Sequence, residues 1–248
     1  MRMDHQNDIP KRFKSEPAFL KGEPAERDSL GIASPGLGGL AHKIRRNLDD
    51  YGWRITIQKT LAYLVRSVYF RQVYRIYRIN LGATKPLEDP GKLNFTFKIL
   101  TAQDAGLIAQ VENIAEWLRC QLQGKIAGGQ LCLVALDGVQ VAGFNLIDFE
   151  QANLVLVNLQ KKLRHGFAWS EHVAVKKEFR RTGLASQLRY RIFAELKRRG
   201  IRRLYGGTLR SNMASLRLTR SVGFKEIGDI HYRKFFSIEN WQYKRIRD

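Results

Sequence analysis

Within SEHVAVKKEFRRTGLASQLRYRIFAELKRRG, Arg180 and Arg181 precede Thr182, Gly183, Leu184 and Ala185, which open a long helical pattern. A glycine at a helix start lets a ligand approach the backbone closely, and the unpaired N–H groups of the first turn attract an anion. Gly183 and Ala185 stand where a longer side chain would obstruct that approach, and the two guanidinium groups add charge at the rim. A phosphate or pyrophosphate suits this arrangement; a purely structural turn is the plain alternative. Neither GxxxxGK[ST] nor GxGxxG occurs, so the common nucleotide signatures are excluded. In the preceding strand, Glu171 and His172 are side chains able to accept a proton. Glu171 precedes Val173 and Val175 by two and four, so strand alternation places these three on one face and His172 on the other, unless a bulge intervenes.

The elements that must hold these residues follow from periodicity. AWSEHVAV alternates as a strand and leads into the glycine turn; GLASQLRYRIFAELKRRG repeats Leu184, Leu188, Ile192 and Leu196 on one helical face, with Gly200 at its end. IRRLYGGTL reads as a strand and SNMASLRLTRSVG as a short helix closed by Gly223. Before them, LNFTFKIL reads as a strand, TAQDAGLIAQVENIAEWLRCQLQ as helix divided in two, and QLCLVALDGVQVAGFNLIDFE as two strands about an Asp-Gly turn. FKEIGDIHYRKFFSI supplies a final hairpin, followed by a basic tail. This order predicts an α/β domain with a mixed sheet and helices on both faces.

Composition divides the chain. Residues 1–50 mix charges without a period and read as a disordered extension; residues 51–90 read as an amphipathic helical extension and linker; residues 91–248 form the main domain. In the second segment Leu61, Leu64, Val65, Val68, Tyr69, Val73 and Ile76 recur at helical spacing, with Arg71, Arg75 and Arg78 on one side. The formal net charge is +20, and residues 161–248 carry 23 basic against 7 acidic side chains, which favours an anionic partner. Two cysteines supply neither a disulfide scaffold nor a metal motif, so no metal is expected. The start lacks the continuous apolar segment of a secretory signal, and a cytoplasmic location is the expectation.

VAVKKEFRRTGLA followed by SNMASLRLTRSVGF resembles the Gcn5-related N-acetyltransferase (GNAT) superfamily, whose cofactor motif [Q/R]xxGx[G/A] falls on Arg180, Gly183 and Ala185. The resemblance is specific from Val173 to Phe224 and extends in element order over residues 93–236. It implies a GNAT-like acyl-CoA acyltransferase fold with a mixed, mostly antiparallel sheet. It further implies that backbone N–H groups of Arg181, Thr182, Gly183, Leu184 and Ala185 cradle the CoA pyrophosphate. The strand through Val173, Ala174 and Val175 would bond the pantetheine arm and donate to the thioester oxygen, while Asn212 and Ser215 would contact that arm. The implied donor is acetyl-CoA, a longer acyl group being the variant, and the implied acceptor a primary amine.

Transfer needs a neutral amine, a donor to the carbonyl oxygen and a proton for the departing thiolate. Glu171 is the expected general base. The sequence departs from the family at Thr219, where many members carry a tyrosine that serves the thiolate; Tyr205 and Tyr232 are the tyrosines considered as substitutes. The resemblance implies that the acceptor is received near the first helices and later strands, where Glu112, Glu116, Asp148 and Glu150 could attract an amine; solvated polar positions are the plain alternative. The basic surface suits an acceptor attached to something anionic, and residues 53–80 suit peripheral contact with an anionic membrane; nucleic acid is the less favoured partner. The reading from another class is a nonenzymatic adaptor for nucleic acid or membrane, built on a degenerate CoA-binding fold.

Overall fold

The computed structural model describes residues 69–83, 95–236 and 238–246. Ten strands are distributed over two sheets. They are β1 (Tyr69–Asn80), β2 (Thr96–Ile99), β3 (Leu131–Asp137), β4 (Gln140–Asp148), β5 (Gln151–Leu154), β6 (Leu159–Lys162), β7 (Phe167–Val175), β8 (Arg203–Leu209), β9 (Lys225–Phe235) and β10 (Ile238–Arg245). Eight of them form one sheet in the order β10-β9-β1-β8-β7-β4-β3-β2, while β5 and β6 make a separate hairpin. Among the described residues only the β7–β8 pair is parallel. The helices are α1 (Ala105–Ile114), α2 (Leu122–Ala127), α3 (Leu184–Arg198) and α4 (Met213–Ser221). The expected mixed, mostly antiparallel sheet flanked by helices is the fold that forms.

Both faces of the sheet are covered, which explains why its central strands carry adjacent apolar residues. On one face Leu184, Leu188, Ile192 and Leu196 of α3 pack against Leu131, Leu133, Ile147, Ala168 and Leu204. Each fully buried leucine or isoleucine there contributes about 1.5–3 kcal/mol. On the other face, Ile108 and Val111 of α1 and Leu122 of α2 pack on Cys132, Val134, Phe144 and Leu146. Beside them, the β5–β6 hairpin covers Tyr74, Ile76, Trp169, Tyr205 and Ile230. The Asp137-Gly138 turn joins β3 to β4 with Gly138 at φ +58°, as the Asp-Gly signal requires.

Two expectations are overturned. Tyr69–Asn80, read as part of a helix, is a strand inserted between β8 and β9, antiparallel to both. Because it is central, Tyr74 and Ile76 are buried on one face and Tyr77 and Ile79 on the other. That double burial, together with a register shift at Ile76/Tyr77, mimics helical spacing. The aromatic and β-branched residues of YFRQVYRIYRIN carry the strand signal. The helical reading of residues 53–68 lies outside the described residues. At the C-terminus, IENWQYKR is the edge strand β10, whose Tyr243 is buried, rather than a solvated tail.

Candidate active site

The parallel pairing of β7 and β8 ends at Ser170 and Gly206, and among the described residues nothing joins the two strands beyond that point. They diverge into a fork whose arms are Glu171–Val175 and Gly207–Leu209. Lys176 donates its N–H to Ala142 of β4. By alternation Ala174 also turns its backbone groups towards β4, leaving those of Val173 and Val175 on the open side. Arg180 Nε donates to the Val175 carbonyl at 3.2 Å, which fits that orientation. This tie holds the end of β7 to the following turn.

At the turn, Arg181 has φ +68° and Gly183, the residue before α3, has φ +89°. Glycine adopts that left-handed geometry without the Cβ clash other residues suffer. A Cβ added to Gly183 would meet nothing within 4 Å, so the backbone there is open to a ligand. The N–H groups of Thr182, Gly183 and Ala185 have no acceptor among the described residues, and Leu184 N–H makes only a long 3.4 Å contact to Thr182 Oγ1. The pyrophosphate of a CoA fits these residues: several N–H donors converge at the positive end of a fifteen-residue helix.

Of the two proton-accepting residues, His172 lies opposite the valines as expected, whereas Glu171 does not share their face. Ser170 pairs with Ile147 and His172 with Leu146, so Glu171 is the extra residue of a β-bulge. The bulge reverses the alternation. Val173 and Val175 pack towards α3, whereas Glu171 turns to Lys125 of α2 and His172 to Trp117. The expectation that Glu171 shares a face with the valines, opposite His172, is therefore incorrect.

Glu171 is almost completely enclosed, its side chain 3% exposed, with Lys125 Nζ 3.0 Å from Oε1. Oε2 has no partner among the described residues. Burial raises its pKa, against the opposing pull of Lys125. His172 accepts from Trp117 Nε1 at 3.3 Å, and burial, aided by Lys125, holds its pKa down to about 4. It is neutral at pH 7 and its Nε2 lone pair is engaged, which leaves Glu171 as the better placed base.

Lys125 also lines a cavity of about 350 Å³ beside Gln130, Asp148, Glu150, Gln151 and Gln160. Asp148 is anchored by Gln130 and by the N–H groups of Glu150 and Gln151. Of the other two acidic residues singled out, Glu112 accepts from Leu122 N–H at the start of α2, and Glu116 is exposed.

Along β8 the fork rests on groups not singled out in the sequence, Tyr77 on the α3 face of the sheet and Tyr74 on the other. Gly206 and Gly207 carry no Cβ because the rings of Tyr77 and Tyr74 lie over them; an added Cβ would stand 2.4 Å and 2.1 Å away, respectively. The Tyr77 hydroxyl lies 3.4 Å from the Gly207 carbonyl and next to Arg189 and Ser215. Arg189, 2% exposed, donates to Ser170 Oγ and stands over the Phe224 ring, while its Nε has no partner among the described residues. The buried cation opposes the rise that burial imposes on the Tyr77 hydroxyl.

Asn212 is the N-cap of α4, its Oδ1 accepting from Ser215 N–H at 3.1 Å, so that oxygen is committed to the helix. Thr219 is buried and donates to the Leu216 carbonyl. Neither tyrosine considered as its substitute reaches the fork: Tyr205 is buried opposite Trp169, and the Tyr232 hydroxyl donates to Glu239. Tyr77 does reach it, from a strand whose helix-like periodicity conceals it. Among the described residues no group of three or more metal-ligating side chains occurs, and no helix is long and apolar enough to cross a membrane.

The model of the acetyltransferase (GNAT) family matches residues 99–224, just over half of the chain. No curated protein matches the sequence. Among solved structures, the chain is similar to a conserved protein of unknown function from Staphylococcus epidermidis, with 14% identity and a TM-score of 0.49 over 70% of this chain and 64% of that one. A GCN5-related N-acetyltransferase from Sphaerobacter thermophilus gives 18% and 0.48, over 72% and 56%. An aminoglycoside N-acetyltransferase in complex with CoA gives 16% and 0.43, over 53% and 92%. The chain thus spans less than two thirds of the first two proteins.

Proposed function

Because the chain belongs to the acetyltransferase (GNAT) family, we propose that it transfers an acetyl group from acetyl-CoA to a primary amine, with the β7–β8 fork as the place of reaction. The observation that carries this reading is the fork itself. One arm ends in an open, N–H-rich helix start at Gly183, and the other side of the same arm holds the enclosed carboxylate of Glu171.

In this reading the turn from Arg181 to Ala185 receives the pyrophosphate, and the open backbone edge of Val173, with the N–H of Val175, receives the pantetheine arm. A β7 N–H at the fork polarises the thioester carbonyl. Arg180 holds Val175 to the turn. Ser215, beside Tyr77, borders the arm, and Asn212 keeps the α4 start in place.

The acceptor enters from the α2 side, where the cavity beside Lys125 presents Asp148 and Glu150 to an ammonium group. Glu171 takes the proton that frees the amine lone pair. The new N–C bond forms as the C–S bond breaks; the departing thiolate takes a proton, and the second proton lost by the attacking nitrogen makes good the donor's loss, leaving an amide and a free thiol. Tyr77 supplies the thiolate's proton in place of the residue missing at Thr219, since its hydroxyl is the one beside Arg189 and Ser215 at the fork. A thiol with a pKa near 8.5 also leaves unaided to a useful extent.

The test is a thiol-release screen with acetyl-CoA and diverse amines, alongside calorimetry of acetyl-CoA binding. Binding with amine-dependent thiol release supports transfer. Folded protein that fails to bind acetyl-CoA refutes the reading, and binding without release to any amine leaves a CoA-binding protein that has lost turnover.

A further inference from the structure

Exposed apolar residues are normally scattered singly over a protein surface, and a cluster marks a contact. Six of the nine exposed large apolar side chains among the described residues gather at one end of the sheet: Tyr69, Phe235, Phe236, Ile238, Val155 and Leu156. Tyr69, Phe235 and Ile238 stand opposite one another across β1, β9 and β10, forming a single cross-strand row. The next row on that face is Arg71, Arg233 and Asn240. On the other face, the turn carrying Val155 and Leu156 is held against β10 by Trp241 Nε1 donating to Val157 O and by Asn158 bonding Glu239.

Folding stability does not account for this arrangement. Two like charges placed directly opposite, as Arg71 and Arg233 are, weaken a strand pair. Phe236 has φ +50° and is 58% exposed, so a bulky ring occupies a left-handed position without gaining burial. The apolar row is thus backed on its own face by two arginines, while Lys234 stands opposite Glu239 on the other face.

We propose that this end of the β1–β9–β10 sheet docks on an anionic lipid surface, its apolar row and Phe236 entering the interface and Arg71 and Arg233 meeting the headgroups. This charge and shape complementarity is that of an interfacial anchor. Nucleic acid fits less well: Phe235 and Phe236 meet edge-on at 81°, and Ile238 has no ring, so no parallel stacking platform is presented. Tyr69 lies five residues before Tyr74, which pairs with Leu209 at the end of β8. The docking end therefore projects about 15 Å beyond the end of β8, on the side of the sheet to which the fork opens.

Flotation of the full chain with phosphatidylcholine vesicles, with and without phosphatidylglycerol, tests this assignment. Wild type is expected to float only with the anionic vesicles, and less so as salt rises. The variant F235S/F236N/I238T, altered only at exposed positions, is expected to bind them on the order of a hundredfold more weakly. Its thermal transition and acetyl-CoA binding should remain those of wild type. R71Q/R233Q should retain the apolar contact but lose most of the preference for the anionic lipid. Failure of wild type to float with phosphatidylglycerol overturns the proposal, as does undiminished flotation of the triple variant, or retention on duplex DNA or single-stranded RNA without vesicle binding.

Discussion

The Lys125 ammonium stands 3.0 Å from one carboxylate oxygen of Glu171, while the other oxygen, buried on the same side chain, has no partner among the described residues. The ion pair lowers the carboxyl pKa and the burial raises it, and burial prevails. A carboxyl group that burial makes less acidic than in water, with one cation opposing the rise, is suited to taking a proton from an ammonium group.

Replacing Glu171 by glutamine removes the base but keeps the shape. Turnover in the thiol-release assay should fall by about a hundredfold to ten-thousandfold, with acetyl-CoA affinity unchanged by calorimetry. Unaltered turnover across the pH range would remove Glu171 from the mechanism.

The acidic limb of kcat/KM should report the same carboxyl group. Glu171 must be ionised to act, so activity falls as pH drops through its raised pKa. Lys125→Met removes the influence that lowers this pKa, and the limb should therefore move to higher pH. A limb that stays in place, or moves to lower pH, would show that another group governs it.

At the helix start, Gly183→Glu places a carboxylate at the expected pyrophosphate site and a side chain on a φ of +89°. Acetyl-CoA binding should weaken at least tenfold, while the strained position costs roughly 1 kcal/mol of stability. Calorimetry and thermal unfolding separate the two effects. Equal affinity in a folded variant would dissociate this turn from cofactor binding.

Tyr77→Phe keeps the ring that packs on Phe224 and deletes the hydroxyl beside Arg189. A proton donor should cost about tenfold to a hundredfold in kcat when removed, with little change in KM for acetyl-CoA. The loss should be smaller with an acyl donor whose thiol is more acidic. An equal loss with both donors would indicate a packing role.

Stability should be more sensitive at Arg75. Its guanidinium bonds Asp229, with Nη2 3.0 Å from Oδ2, and also Glu226, all three side chains being largely buried. Arg75→Leu leaves two carboxylates facing each other, with the more exposed Arg220 and Arg210 as remaining partners. A loss of about 3 kcal/mol is expected, measured by denaturant unfolding. Adding Asp229→Asn should recover part of it; a further loss instead would contradict the charge argument.

Residues whose environment is set within a turn or two are legible from the amino-acid order. The apolar face of α3, the left-handed glycines at its two ends and the Asp-Gly hairpin are local matters of period and backbone freedom. The paired segments RRTGLA and SNMASLRLTRSVGF likewise carry the family resemblance that the family model bears out. Glu171 stands out as a candidate base, but alternation assigns it to the wrong face, because that rule holds only while the ladder is regular. Tyr74 and Tyr77 escape a sequence reading altogether, since the strand bearing them pairs with residues more than a hundred positions away.

The sequence alone determined the family, the mixed sheet with its helices and the surplus of positive charge. Only the tertiary structure decided which groups meet at the fork. A bulge opposite Leu146 and Ile147 sends Glu171 towards Lys125, and the insertion of β1 between β8 and β9 brings Tyr77 to Gly207. Both depend on the register of hydrogen-bonded partners distant in the chain. A shift of one residue reverses the face of a side chain while leaving local composition unchanged.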